Sequence, residues 1–186
     1  ADAYLATGDV WYKEVVYETL NFVARELTNK EGAFYSSLDA DSKTPQGELE
    51  EGAFYVWTKE ELKKILANDY DLFVAYYNIN SFGLWEKGNY VLIKNKSDQE
   101  FAVDHSVETV ELSEKIAKWK RELLTERNQR PKPRLDDKTL TSWNALMLKG
   151  YVDAYRVFGD KKFLDAALKN ANFIKIIFYR YLTHVS

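Results

Sequence analysis

The chain has 186 residues, 26 Lys+Arg against 29 Asp+Glu, two histidines and no cysteine. Without a thiol there is no disulfide framework, no Cys-ligated zinc and no cysteine nucleophile, and His105 and His184 alone do not make a His-rich metal site. The net charge of -3 does not suit a broad nucleic-acid footprint, and 30% charged residues with a mean hydropathy of -0.46 do not suit a membrane span or a disordered tail.

From the N-terminus, ADAYLATGD reads as the last turn of a helix stopped by Gly8. The short apolar start carries Asp2 and Asp9, so no signal peptide is read and a cytoplasmic protein is expected. Residues 9–29 predict an amphipathic helix, with Asp9 as N-cap and Tyr12, Val15, Val16, Leu20, Phe22, Val23 and Leu27 on one face. The aromatic runs 33–37 and 53–57 predict two strands around the polar loop DADSKTPQGELEEG, which makes a β-hairpin insertion over about 32–57. Thr58 and Glu61 form a Thr-x-x-Glu capping box at the start of the next helix.

A short helix follows over 70–78, then a second hairpin over about 83–95 turning at Lys87-Gly88. A polar helix is expected near 97–104 and a longer one over about 107–128, led by Ser106 and ended by Pro131 and Pro133. Helices over about 140–158 and 160–182 close the chain, separated by Gly159-Asp160. FIKIIFYRYLTHVS ends without a Gly or Pro stop, so both ends read as cuts in a larger protein; a helical hairpin start and a frayed tail are the alternative.

Residues 1–22 align without gaps to 152–173, matching Asp2/Asp153, Ala3/Ala154, Tyr4/Tyr155, Gly8/Gly159, Asp9/Asp160, Asn21/Asn172 and Phe22/Phe173. The unit is helix end, Gly-Asp turn, next helix. Repeated helical hairpins bury their apolar faces by stacking, which implies a solenoid or a closed ring. EGAFY also occurs twice, at 31–35 and 51–55, an offset suited to two arms of one hairpin.

EGAFYSSLDADS (31–42), GELEEGAFYVWTKEEL (47–62) and RPKPRLDDKTLTSWNALM (130–147) resemble the YyaL-type, spermatogenesis-associated thioredoxin-domain family. With the flanking helices, the similarity covers nearly the whole chain. The resemblance implies a mainly α fold: part of an (α/α) toroid of the six-hairpin glycosidase type, with one or two small β-hairpins inserted. It also implies a thioredoxin-like domain that this chain lacks. The toroid is related in architecture to N-acylglucosamine 2-epimerases and glycoside hydrolases. One expectation is therefore a carbohydrate-active hydrolase or isomerase that is inactive as this piece; the alternative is a non-catalytic module that partners a thioredoxin-like domain.

The first candidate site is the acidic loop, where Asp39, Asp41, Glu48, Glu50 and Glu51 crowd together. Close carboxylates repel, which separates a general acid from a general base, and glycoside hydrolysis uses such a pair. Tyr35, Tyr55 and Trp57 are placed to stack on a sugar ring. A solvated turn that caps backbone N–H groups is the other reading. Asp39, Asp41 and Glu50 also touch EF-hand positions, but Lys43, Thr44 and strand-like flanks disagree, so no metal is assigned.

The second candidate is Arg134, Asp136, Asp137, Lys138, Trp143 and Asn144. The aspartates are acid/base candidates, and Arg134, Trp143 and Asn144 are ligand-holding ones; capping of the following helix competes with this. His105 and His184 read as structural or exposed, and the stripe Tyr12, Phe22, Tyr151, Tyr155, Phe158, Phe163 and Phe173 as inter-helix core. No P-loop and no GxGxxG are present, and no cofactor is expected. The expected partners are a carbohydrate, the thioredoxin-like domain and a second copy bound through Phe173, Ile174, Ile177, Phe178 and Tyr181; no nucleic acid or membrane is expected.

Overall fold

In the computed structural model the described residues are 1–184, without the side chains of 178 and 180–184. The structure is mainly helical, with two small antiparallel sheets. The chain divides into two compact units: residues 1–39 with 135–186, and residues 40–134. No helix among the described residues is long and apolar enough to cross a membrane.

The first unit holds α1 (Asp2–Thr7), α2 (Val10–Glu26), β1 (Ser37–Leu38) and β4 (Leu135–Asp136), then α7 (Thr141–Phe158) and α8 (Lys161–His184). The repeated Gly-Asp turn has one geometry in both places. Gly8 and Gly159 take left-handed φ values of 71° and 69°, and their N–H groups donate to Tyr4 O and Tyr155 O, both at 2.8 Å. A side chain at these positions would strain the backbone, because the left-handed region suits only glycine at low cost. Asp9 then accepts from the Trp11 N–H at 2.9 Å, and Asp160 from the Lys162 N–H at 3.1 Å.

Aromatic rings lock the hairpins together. Tyr4 and Tyr17 pack on Phe158, and Tyr17 also packs edge-on against Phe163. The core is Leu20, Val23, Phe34, Tyr151, Ala154, Phe163 and Ala167, with Phe22, Tyr155 and Phe158 against it. Of the stripe read from sequence, these rings do pack between helices. Of the five residues expected to lie uncovered, Ile177 is exposed and Phe173 and Ile174 are half-buried; the side chains of Phe178 and Tyr181 lie outside the described residues.

The segment 32–38 crosses this helical layer. β1 pairs antiparallel with β4, Ser37 opposite Asp136 and Leu38 opposite Leu135. Phe34 bridges to Thr28 and its ring stacks on Tyr151, centroids 5.5 Å apart. The run 33–37, expected as one arm of a hairpin, therefore finds its partners inside its own unit.

The second unit holds β2 (Asp41–Lys43), β3 (Leu49–Glu51), α3 (Lys59–Leu66), a 3-10 turn (Ala67–Asp69), α4 (Tyr70–Tyr76), α5 (Asp98–Asp104) and α6 (Thr109–Arg127). The hairpin lies inside the acidic stretch itself: β2 pairs with β3, Asp41 opposite Glu51, Ser42 opposite Glu50 and Lys43 opposite Leu49. The aromatic run 53–57 is a turn instead of a strand, because the Ser42 hydroxyl accepts the Phe54 N–H at 2.8 Å and Gly52 O accepts those of Tyr55 and Val56. Trp57 bridges to Tyr90.

The Thr58–Glu61 capping box is present as read, and Ser97–Glu100 forms a second one on α5. Ser106 does not lead α6. It sits at φ 52° in a Schellman-type ending of α5, where Val107 N–H reaches back to Ala102 O, and Glu108 takes the N-cap position. The core of this unit is Trp57, Leu62, Leu66, Phe73, Tyr76, Ile79, Phe101, Leu112, Ile116 and Trp119, so α3, α4 and α5 all pack on α6.

Asp69 fastens the 3-10 turn to α6. Its carboxylate accepts from Lys118 at 2.8 Å and Lys115 at 3.0 Å, and only 12% of the side chain is exposed. The Lys118 hydrogen bond leads in holding its pKa down to about 2; burial opposes it, and Lys115 adds to it. A carboxyl depressed in the folded state stabilises the fold above its unfolded pKa, and that contribution is lost as pH falls. Asp69→Asn is expected to lower stability at pH 7 by about 1–2 kcal/mol in urea titrations, and the gap to the wild-type chain to close between about pH 4 and pH 2. A gap of constant size across that window would mean that the ion pairs are not its source.

Candidate functional site

Two pockets adjoin in the second unit, and one ion pair stands between them. The larger, about 840 Å³, runs between α3 (Glu61, Lys64, Ile65) and α6 with its C-terminal extension (Arg121, Glu122, Thr125, Glu126, Gln129, Arg130), with Trp57, Pro45 and Pro131 completing the wall. The smaller, about 280 Å³, is lined by Lys43, Thr44, Gln46, Glu50, Glu51 and Asn89. Pro45, Glu61, Arg130 and Pro131 belong to both. The larger volume lies in the range of small-molecule sites.

Arg130 organises this region. Its Nη1 donates to Val56 O at 2.7 Å, Phe54 O at 3.2 Å and Ala53 O at 3.3 Å, and its Nη2 donates to Glu61 Oε1 at 3.1 Å. The guanidinium lies 4.0 Å from the Trp57 ring centroid. Burial lowers its pKa below the ordinary guanidinium range, and the Glu61 charge opposes that; a guanidinium stays charged regardless. The other oxygen of Glu61 accepts from the Thr58 N–H and hydroxyl, at 2.8 Å and 2.9 Å. Glu61 is thus cap and counter-ion at once, with both oxygens occupied.

The acidic hairpin places its carboxylates by the pleat. Successive side chains on a strand point to opposite faces. Glu50 shares the face of the buried Ser42 and pairs with Lys87 at 2.5 Å, while Glu51 shares the exposed face of Asp41. Flanking backbone bonds, Thr44 N–H to Glu48 O and Gly52 N–H to Ala40 O, set the register so that Asp41 and Glu51 form a non-hydrogen-bonded pair, the closer kind, with Cα atoms about 4.5 Å apart.

Of the other residues singled out from sequence, Trp57 and Asn144 are engaged within the fold. Trp57 is 3% exposed, with a ring face taken by Arg130. Asn144 is 1% exposed, and its amide is spent on protein: Oδ1 accepts from the Phe34 N–H and from Asn170 Nδ2, both at 2.8 Å, and Nδ2 donates to Phe34 O and Leu140 O at 3.0 Å. Asp136 accepts from Lys138 Nζ at 3.0 Å and sits on β4 opposite Ser37. Asp39, Asp137, Arg134 and Trp143 are exposed, and Tyr35 is half-buried with its N–H on Leu27 O.

Tyr35, Asp39, Asp136, Asp137, Trp143 and Asn144 belong to the first unit; Asp41, Glu50, Glu51, Trp57 and Arg134 belong to the second. No group of three or more His, Asp or Glu among the described residues could hold a metal ion. His105 stacks on Phe101, with Nδ1 3.1 Å from Phe101 O. The residues missed from sequence are Glu61, Lys87, Asn89 and Arg130. The capping motif marks Glu61, but nothing local in RPKPR says that Arg130 folds back over a tryptophan.

Along most of its length the chain is similar to proteins of animals. An uncharacterized protein of Caenorhabditis elegans is 34% identical over 180 aligned residues, taking in 87% of the chain and 25% of that protein. Spermatogenesis-associated protein 20 of Homo sapiens is 31% identical over 195, with 94% of the chain and 25% of the relative covered. The Mus musculus protein of the same name is 29% identical over 193, with 93% and 24% covered. The likeness supports the spermatogenesis-associated protein 20 family, and the chain spans about a quarter of the length of the curated relatives it matches. No family model matches the chain.

Arg130→Ala removes three carbonyl contacts, an ion pair and a cation–π contact, and leaves the carbonyls of 53–56 short of donors. The expected loss is about 2–4 kcal/mol in urea denaturation followed by tryptophan fluorescence. Arg130→Lys is expected to recover less than half of it, since an ammonium cannot fan out to carbonyls and carboxylate together. Full recovery by lysine would show that only the charge matters.

Proposed function

We propose that the chain is part of a carbohydrate-active domain, hydrolase- or epimerase-like, on a partial (α/α) toroid, and that the paired pockets of the second unit are its saccharide site. The observation that carries this reading is the charge balance of the larger pocket. Glu61, Glu122 and Glu126 face Lys64, Arg121 and Arg130 around it, with Thr125 and Gln129 between. Such a wall has no net preference for an anion or a cation, but it offers alternating donors and acceptors to a neutral polyhydroxylated ligand. Glu122 Oε2 is buried in this wall without a hydrogen-bond partner.

The acid/base candidates in this reading are Glu51, which lines the smaller pocket, and Asp41 opposite it on the hairpin. Side chains directly opposite on an antiparallel pair have Cβ atoms about 4.5–5.5 Å apart, and retaining glycosidases hold their two carboxyl groups about 5–5.5 Å apart. Glu50 stands behind them on Lys87. The sequence candidates Tyr35, Asp39, Asp136, Asp137 and Trp143 belong to the first unit and are not assigned to this site, and Arg134 lines neither pocket. A cytoplasmic protein is proposed.

A thermal-shift series of the chain with mono- and oligosaccharides tests the reading. A rise in melting temperature with at least one saccharide is expected, and its loss in Glu122→Ala; no shift with any sugar at millimolar concentration would end it.

A second reading, an interaction module for a thioredoxin-like domain or a second copy, is favoured by the outer face of α7. Leu140, Trp143 and Leu146 are 41%, 49% and 69% exposed at a spacing of three, a stripe suited to a partner helix. Light scattering is expected to give a mass above the 21.7 kDa of one chain, falling to it in Trp143→Ser with Leu146→Ser. A monodisperse wild-type monomer would remove the second copy from this reading.

A further inference from the structure

The second hairpin presents apolar side chains that the fold does not use. Phe82 is 63% exposed, and Leu84 and Trp85 are 49% each, within four residues of chain. They stand on a segment braced at several points. Asn78, at φ 56°, donates from Nδ2 to Ile93 O at 2.6 Å, and the Phe82 N–H donates to Asn80 Oδ1 at 2.8 Å. A Cβ on Gly83 would lie 2.3 Å from Asn78 O, so the chain passes there only as glycine. Val91 N–H reaches Gly83 O at 3.0 Å, Trp85 N–H reaches Asn89 O at 2.8 Å, and Asn89 N–H reaches Glu86 O at 2.9 Å. Lys87 and Gly88 both take positive φ, 54° and 77°, the tight hairpin turn that asparagine and glycine normally supply. Lys87 is strained there, and its ammonium is the group that ties the tip to Glu50.

This rigidity has a direction. Asn89 and Glu50, the two points to which the tip is tied, both line the smaller pocket. Neighbours across a hairpin project on one face, so Trp85 stands on the face of Asn89, and Asn89 lines that pocket. Inside, Glu50, Glu51, Gln46 and Asn89 supply acceptors and amide donors, and Thr44 Oγ1 is buried in the wall without a partner. A flat, half-exposed ring on a pre-ordered loop beside hydrogen-bonding side chains matches a molecule with one apolar face and polar edges.

We infer that Trp85 is a stacking platform for a pyranose ring whose hydroxyl edge turns toward Asn89, Glu50 and Glu51. The ligand class is an oligosaccharide of gluco configuration: its equatorial hydroxyls leave both ring faces lined by C–H groups, which an axial hydroxyl would interrupt. The inference rests on the saccharide reading above and specifies where the ring sits and which sugars fit.

The test uses the full 186-residue chain. Cellotriose is titrated into the ¹⁵N-labelled protein while the Trp85 indole N–H resonance is followed, and affinities are measured for Trp85→Ala, Trp85→Phe and, as a control in the other unit, Trp11→Ala. The expected results are a shifted Trp85 resonance, a Kd about three- to tenfold weaker in Trp85→Ala, near-wild-type binding in Trp85→Phe and no change in Trp11→Ala. Should Trp85→Ala not fold, the resonance shift in the wild-type protein decides alone.

Cellotriose bound equally by wild type and Trp85→Ala overturns the platform and leaves the saccharide reading standing. No binding of cellotriose by the wild-type chain overturns the platform, and the saccharide reading then stands or falls by the thermal-shift series. Binding that is unaffected while Trp85→Ala abolishes self-association would assign the patch to a protein contact and overturn the platform.

Discussion

The first unit is organised around one buried amide. Segment 32–34 enters a helical layer, where its backbone N–H and C=O groups would be stranded, since a helix has no free backbone groups to offer along its side. Asn144 on α7 supplies what a neighbouring strand would: an acceptor for the Phe34 N–H and a donor for the Phe34 C=O. Asn170 on α8 steadies that amide and takes Gly32 O. Gly32 lies so close to Lys169 that a Cβ would meet its Cγ at 2.6 Å, at a φ of 93°. With the segment seated, Phe34 stacks on Tyr151 and β1 is carried to its register with β4. An asparagine in an apolar stripe looks like a ligand residue when only the sequence is read; here its worth lies in satisfying another segment's backbone.

Signals confined to a few residues were legible. The Gly8-Asp9 and Gly159-Asp160 turns, the Thr58–Glu61 box and the helical periods of 10–26, 109–127 and 141–158 all appear where the pattern puts them, because each depends on chemistry within one or two turns. The strands were not legible, and the reason is physical. AFYSS and AFYVW have the aromatic content of strands, yet the first pairs only through Phe34 and Ser37 and the second is a tight turn around buried Phe54, and a tertiary demand of that kind overrides strand propensity. The pairing went instead to DSK and LEE, polar segments joined by a short turn, where Ser42 is buried to catch the Phe54 N–H. Ser106 misleads in the same way: serine is a common cap, but here it ends one helix in a left-handed turn instead of starting the next.

The candidate site was half legible for a related reason. Carboxylate-rich sequence marks the hairpin, but which carboxylates are committed to structure depends on partners far along the chain. Glu61 is held by Arg130, 69 residues away, and Glu50 by Lys87, 37 residues away. Arg130 joins the turn after α6 to α3 through Glu61, and Lys87 joins the tip of the second hairpin to β3 through Glu50. Such half-exposed pairs contribute modestly to stability. Their larger effect is to set the shape of the pockets on either side of Arg130.

Asp41 and Glu51 stand opposite each other on the other face of the hairpin. Placing like charges directly across a strand pair, in its closer register, works against the hairpin. The hairpin keeps them opposed because its register is anchored elsewhere: Ser42 on Phe54 from the buried face, Glu50 on Lys87, and Gly52 on Ala40 at the end of the ladder. A slip of one residue would relieve the repulsion but send Ser42 to solvent and strand the Phe54 N–H, and so the buried face decides. Local disadvantage that is held in place by surrounding contacts is a mark of functional positions more than of structural ones. The Asp41–Glu51 pair is held in this way by the buried face of its own hairpin.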